Sequence, residues 1–229
     1  CGTTPDHIGA LASKSKGKKT DLSFRKGISA VSYARKTAFM GGGRPLSVVG
    51  ERINPTGKKA LQAELREGKT GIVQEFALEQ QIKGASILDV NMGLSGIDEK
   101  EMMLKSVKLL SKMSDLPLCI DSTNPEVVEA ALRIYPGRAL VNSISAEKER
   151  IERTLPIAAK YGAMFILLPL NDAGIPATLE ERKDIVEYIL KEGAKYGYTT
   201  DDVTVDGLVM TVSSDPAAPA RTLDLIEWC

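Results

Sequence analysis

An α/β fold of sequential strand–helix units, its parallel strands curling towards a barrel, is what this sequence predicts. Three observations carry the prediction. Short apolar runs recur along the chain as SVVGERIN (47–54), ILDVNMG (87–93), LCIDSTN (118–124), ALVNSIS (139–145) and VTVDGL (203–208). They are too short for helices and nearly unbroken, as strands buried on both faces are. Helix-period patterns separate them. Finally, run after run stops in a carboxylate or carboxamide: Asn54, Asp89 with Asn91, Asp121, Asn142 and Asp206. In barrels of parallel strands such residues line the ligand mouth at the strand C-termini. Right-handed crossovers also permit an open doubly wound sheet. No G-x-G-x-x-G follows the first run, and the polar residues are spread over many strand ends, so the barrel is favoured. A full barrel has eight units; six can be counted here.

Residues 1–45 read as a connecting segment with room for one short strand or helix, with Ser, Lys and Gly clusters (13–20, 41–44) and one modest apolar patch at 27–34. The regular alternation begins at Leu46. A helix over 69–83 carries Ile72, Phe76 and Ile82. The next, over 99–114, places Met103, Val107, Leu110 and Met113 on one stripe, which reads as core filling. Asn124-Pro125 supplies an N-cap and a first-turn proline for a helix over 125–134. A helix over 147–161 puts Ile151, Leu155 and Ala158 on one face, and AMFILLPL (163–170) is the next strand. TLEE (178–181) is a capping box opening a helix over 180–197. VTVDGLVMTV (203–212) reads as the sixth strand, and Asp215-Pro216 as the cap of a last helix.

Composition narrows the function. In 229 residues, 30 basic and 30 acidic side chains cancel, so no global field draws nucleic acid or an anionic membrane. The longest apolar stretch, 162–170, falls far short of the roughly 20 residues that span a bilayer. Three scattered cysteines and no signal-peptide pattern make cytosolic the default expectation. Cys119 reads as a small core residue and His7 as a surface one, so neither metal binding nor Ser/His or Cys/His nucleophilic chemistry is indicated. The chain opens at Cys1 and stops at Cys229 after a helical pattern, which reads as a piece of a longer protein.

Asp121, Asn142 and Asp206 together offer acceptors and one carboxamide. They complement a 2-amino-4-oxo pyrimidine edge, as in a pterin, with its mixture of N–H donors and acceptors. Each also has a bland alternative as a helix cap, and Asp89 and Asn91 have one as turn formers before Gly93. Glu51 and Arg52 form an ion pair at the mouth or a structural one.

VGERINPTG (49–57), LDVNMG (88–93), IDSTNPEVVEAAL (120–132), YPGRALVNSIS (135–145) and GIP (174–176) resemble the pterin-binding (folate) domain of the cobalamin-dependent methionine synthases. CGTTPDHIGALA (1–12) resembles the end of the homocysteine-binding domain of the same enzymes. The resemblance implies a TIM-type (β/α)8 barrel of the dihydropteroate synthase-like kind over 46–229, incomplete at its C-terminus. Residues 1–45 would be the remnant of the homocysteine domain and a linker. It implies methyl transfer from N5 of 5-methyltetrahydrofolate to cob(I)alamin on another domain, in methionine synthesis from homocysteine. Asp121, Asn142 and Asp206 would hold the pterin, with Asn54, Asn91 and the Glu51–Ile53 stretch lining the same mouth. Cys1 would be one zinc ligand of the upstream domain. Folate and a cobalamin-bearing domain are the implied partners. Where that family has Pro after the last of these aspartates, Gly207 stands here. Two other readings stay open: a stand-alone methyltetrahydrofolate:corrinoid/iron-sulfur protein methyltransferase, and a non-catalytic fragment that at most binds folate.

Overall fold

The computed structural model describes residues 2–18, 27–213 and 215–229. Helix α1 (Pro5–Ser15) buries no residue. A hairpin of β1 (Ser29–Ser32) and β2 (Thr37–Met40) follows. Then come β3 (Val49–Ile53), α2 (Lys59–Arg66), α3 (Gly71–Ile82), β4 (Ile87–Asn91), α4 (Glu99–Met113), β5 (Leu118–Asp121) and α5 (Pro125–Ile134). The chain continues through β6 (Leu140–Ser145), a π-helical turn (Arg150–Thr154) running into α6 (Leu155–Lys160), β7 (Met164–Leu168), α7 (Leu179–Ala194), β8 (Val203–Val205) and α8 (Ala218–Trp228).

Strands β3 to β8 form one parallel sheet in strictly sequential order. A doubly wound sheet reverses its strand order; unreversed progression with right-handed crossovers keeps every helix on one face and curls the sheet around the other. Six units of a (β/α)8-type barrel result, with β3 and β8 at the ends of the sheet.

Alternation along the strands sorts side chains between two cores. Leu88, Val90, Leu118, Ile120, Val141, Phe165 and Leu167 pack with the helices. Ile87, Cys119, Leu140 and Met164 point the other way and meet Val31 and Ala38 of the hairpin, which plugs the concave face at the strand N-termini. Tyr135 ties the hairpin down: its hydroxyl donates to the Ser32 carbonyl and accepts from the Leu118 N–H, both at 3.0 Å. Arg138 adds a bond to the Ala30 carbonyl at 3.0 Å and an ion pair with Asp202 at 2.6 Å. The approach is so close that a Cβ on Gly137 would lie 2.1 Å from the Ser32 carbonyl oxygen.

Some expected elements differ. The segment expected as a connector contains α1 and the hairpin. The buried face of α3 is Val73, Ala77 and Gln80, leaving Ile72 and Phe76 half-buried and Ile82 83% exposed. The expected helix over 147–161 begins as a π-helical turn. Pro156, one turn on, explains the widening: an α-helical proline ring meets the carbonyl four residues back. The expected ten-residue sixth strand pairs only over 203–205, because Leu208 turns to φ 53° in the left-handed region. The last helix is entered at Ala217, with Asp215 accepting from the Ala217 N–H instead of capping it directly.

Candidate functional site

The inward face of the sheet changes character from bottom to top. The ladder Asp89–Cys119–Leu140–Met164 runs across β4 to β7, and above it runs Asn91–Asp121–Asn142–Ile166–Thr204. Polar residues thus converge on β4, β5 and β6 while the lower interior stays apolar. Two bulges frame them. In β3 one extra residue sits between Gly50 and Ile53, and in β6 another sits between Asn142 and Ile144. Bulges re-aim side chains at such places. The β3 bulge is braced by Gln80 of α3, whose side-chain oxygen accepts the Arg52 N–H at 2.8 Å. Only glycine permits this, since a Cβ on Gly50 would lie 2.5 Å from that oxygen.

Within the cluster, Asn91 Nδ2 donates to Asp121 Oδ2 at 2.8 Å, and Asn91 Oδ1 accepts the Gly93 N–H at 2.8 Å. Asn142 Nδ2 donates to Asp89 Oδ2 at 3.1 Å. Asp89 is 1% exposed, and its Oδ1 has no hydrogen-bond partner of normal geometry. Burial above all raises the Asp89 carboxyl from its ordinary 3.8 to about 6; the Asn142 bond opposes this and the Asp121 charge adds to it. Burial likewise raises Asp121, with Glu51 adding, and Asn91 and Arg150 opposing. Burial beside these carboxylates pushes the Cys119 thiol well up, so it is a core residue and no nucleophile. The result is an interior with a surplus of negative charge and of acceptors. It suits a ligand edge rich in N–H donors.

The structure thus brings Asn91, Asp121 and Asn142 together. Asp206 follows β8 at the exposed edge of the sheet, where Oδ1 accepts the Leu208 N–H at 2.8 Å in a local turn. Asn54 closes a similar turn, accepting the Thr56 N–H at 2.9 Å. Arg52 faces the helices, 4.7 Å over the Phe76 ring and 3.5 Å from Glu79, so its role is structural and not at the mouth. Ile53 is buried in the helix-side core. Cys1 lies outside the described residues. Among the described residues, no group of three or more His, Cys, Asp or Glu side chains could hold a metal ion, and no helix is long and apolar enough to cross a membrane.

One residue of weight had no signal in the motifs, and another carried only a general one. Asp89 reads in the sequence as a strand-end residue or turn former; the period-two spacing Asp89–Asn91 puts both on the interior face. Arg150, near Asp121 and donating to the Ser122 carbonyl at 3.3 Å, lies beyond a strand end and had no signal. A mainly apolar cavity of about 370 Å³ lies elsewhere, on the helix side of β8, lined by Val186, Leu190, Val205, Leu225, Ile226 and Trp228. It shares no residue with the carboxylate cluster.

The sequence profile of the family described as pterin binding enzyme matches residues 50–213. Methionine synthase of Mycobacterium tuberculosis is 26% identical over 227 residues, 93% of this chain but 18% of that protein. The methylcorrinoid:tetrahydrofolate methyltransferase of Eubacterium limosum is 28% identical over 173 residues, 73% of this chain and 62% of that one. The chain therefore spans less than two thirds of either relative. Among solved structures, dihydropteroate synthase of Yersinia pestis with a sulfonamide drug superposes at a TM-score of 0.63 and 16% identity, covering 87% of this chain and 76% of that one. The Vibrio fischeri 7,8-dihydropteroate synthase does so at 0.61 and 15%, covering 87% and 74%. These likenesses bear on the fold.

Proposed function

Because this chain belongs to the pterin binding enzyme family, we propose that its barrel binds 5-methyltetrahydrofolate and gives up the N5 methyl group to cob(I)alamin as a step in methionine synthesis from homocysteine. The observation that carries the reading is the interior cluster of Asp89, Asn91, Asp121 and Asn142 at the strand C-termini.

In this reading Asp121 and Asn142 accept from the N–H edge of the pterin, and Asp206 reaches it from the end of β8. Asn91 holds Asp121 in place, and Asn54 lines the rim. A tertiary amine leaves poorly, so N5 must gain a proton or a strong hydrogen bond as its bond to the methyl breaks. Help of that kind is typically worth about 10²–10⁴-fold. Carboxyls whose proton affinity is raised by burial suit a network that keeps a proton at hand. Holding the pterin in one orientation presents the methyl in line with its acceptor, a second source of rate. Cobalamin, carried on another domain or protein, would supply the nucleophilic metal centre. In the longer protein a zinc-bound homocysteine thiolate would take the methyl onward, with Cys1 among the zinc ligands and residues 1–45 as the tail of that domain.

A stand-alone methyltransferase acting with a corrinoid protein is the second reading, supported by the Eubacterium limosum relative. The methionine synthase reading is preferred because that match takes in 93% of the chain against 73%. The test is chemical. On addition of cob(I)alamin to the chain and 5-methyltetrahydrofolate, tetrahydrofolate should form, and Asp121→Ala should abolish this. A folded chain that binds the folate but yields no tetrahydrofolate would leave it a binding fragment. A homocysteine domain encoded in frame before Cys1 would separate the two enzyme readings.

A further inference from the structure

Which atoms the interior offers a ligand is decided by two carboxamides. Asn142 places Nδ2 3.1 Å from Asp89 Oδ2. An ionised carboxylate only accepts, so the carboxamide has one permissible orientation: nitrogen towards Asp89, oxygen away from it. Asn91 is held at both ends, its nitrogen donating to Asp121 and its oxygen accepting the Gly93 N–H. What the interior then turns towards a ligand is chiefly acceptors, Asn142 Oδ1, the second oxygen of Asp121 and the Glu51 carboxylate at the β3 bulge, beside the second N–H of each carboxamide.

Asp89 is the odd member of this group. It is 1% exposed, one oxygen holds Asn142, and the other is buried without a conventional partner. The charged and titratable neighbours facing it are Glu51 from β3 and Asp121 and Cys119 from β5, and the Cys119 thiol is the weak donor beside it. No basic side chain pairs with it among the described residues. A carboxylate buried at such cost and spent on a single carboxamide has little structural value. Its consequence is the orientation of Asn142.

We propose that Asp89 is a positioning residue that locks the Asn142 carboxamide with its oxygen towards the ligand, so that the site selects pteridines bearing the 2-amino group over those lacking it. The inference rests on the pterin reading above. Were Asn142 free to turn, its NH₂ would meet the ligand's own N–H groups, and the preference for the amino-bearing edge would fade.

The test titrates the full 229-residue chain calorimetrically with 5-methyltetrahydrofolate and with its 2-deamino counterpart, with unfolding curves run alongside. The unaltered chain should favour the amino-bearing probe by about tenfold or more, the scale of one buried hydrogen bond satisfied or left unmade. Asp89→Ala should lose most of that preference. Asp89→Asn, whose amide oxygen still accepts from Asn142, should restore it to within about threefold. Asn142→Ala, which deletes the oriented oxygen itself, should lose it as well and serves if Asp89→Ala does not fold. Equal weakening of both probes by Asp89→Ala, a preference that survives Asn142→Ala, or failure of a folded Asp89→Asn to restore it would overturn the assignment. If the unaltered folded chain binds neither probe, the pterin reading falls first.

Discussion

Replacing Asp89 by Asn removes a charge that the fold buries at a cost. Desolvation is the main reason the carboxyl moves from 3.8 to about 6. That rise corresponds to about 3 kcal/mol between the protonation states. Below pH 3.8 the group is protonated whether the chain is folded or not, and the substitution should be nearly neutral. Between 3.8 and about 6 the folded chain keeps a proton that the unfolded chain has released, so the unaltered protein loses stability as pH rises. Above about 6 the whole cost is present. Asp89→Asn mimics the protonated form at every pH and retains the acceptor for Asn142. The substituted chain should match the original near pH 3.5 and exceed it by about 2–3 kcal/mol at pH 7.5. Urea unfolding at half-unit pH steps, with slopes compared to check that the unfolded states are alike, measures the difference directly. A difference that is flat across the window, or that favours the original chain at pH 7.5, would refute the claim that Asp89 is strained by desolvation.

Other consequences are open to the same kind of test. Asp121→Ala should weaken reduced-folate binding by roughly tenfold to a hundredfold in calorimetry, since it deletes an acceptor and strands the Asn91 donor. Phe165→Ala, which empties a fully buried site against the Tyr198 ring, should cost about 3–5 kcal/mol in chemical unfolding. Gly137→Ala should push the hairpin off the barrel floor, seen as faster amide exchange in Ser29–Met40, because the new methyl would overlap the Ser32 carbonyl. Asn124→Ala should cost about 1 kcal/mol by leaving the Glu126 N–H uncapped.

Where the sequence states a rule locally, the structure follows it. Asn124-Pro125 starts α5 where expected, and the Thr178–Glu181 capping box forms with its reciprocal bonds. The strand runs were legible because parallel strands buried on both faces admit few polar residues until their ends. Helix α2 was not, since two turns with only Leu61 and Leu65 buried give too little periodicity. The hairpin was hidden for a similar reason: its four-residue strands take their stability from Tyr135 and Arg138, over 90 residues away in sequence. In the site, strand-end position identified Asp121 and Asn142, but it could not reveal which carboxylate each carboxamide would face. Asn91 pairs with Asp121 and Asn142 with Asp89 because register places them so. That pairing commits to Asp89 one N–H of the carboxamide that a mixed donor–acceptor reading had assigned to the ligand. Asp206 and Asn54 each engage a side-chain oxygen in a local turn at the rim, which strand-end position alone does not reveal.

The central claim is that the carboxylate-lined interior of this barrel is a reduced-pterin site. Calorimetric titration of the folded chain with 5-methyltetrahydrofolate, beside Asp121→Ala, tests it most directly. The account predicts saturable one-to-one binding that the substitution weakens at least tenfold. A folded chain that takes up no ligand, or binding that Asp121→Ala leaves unchanged, would contradict it.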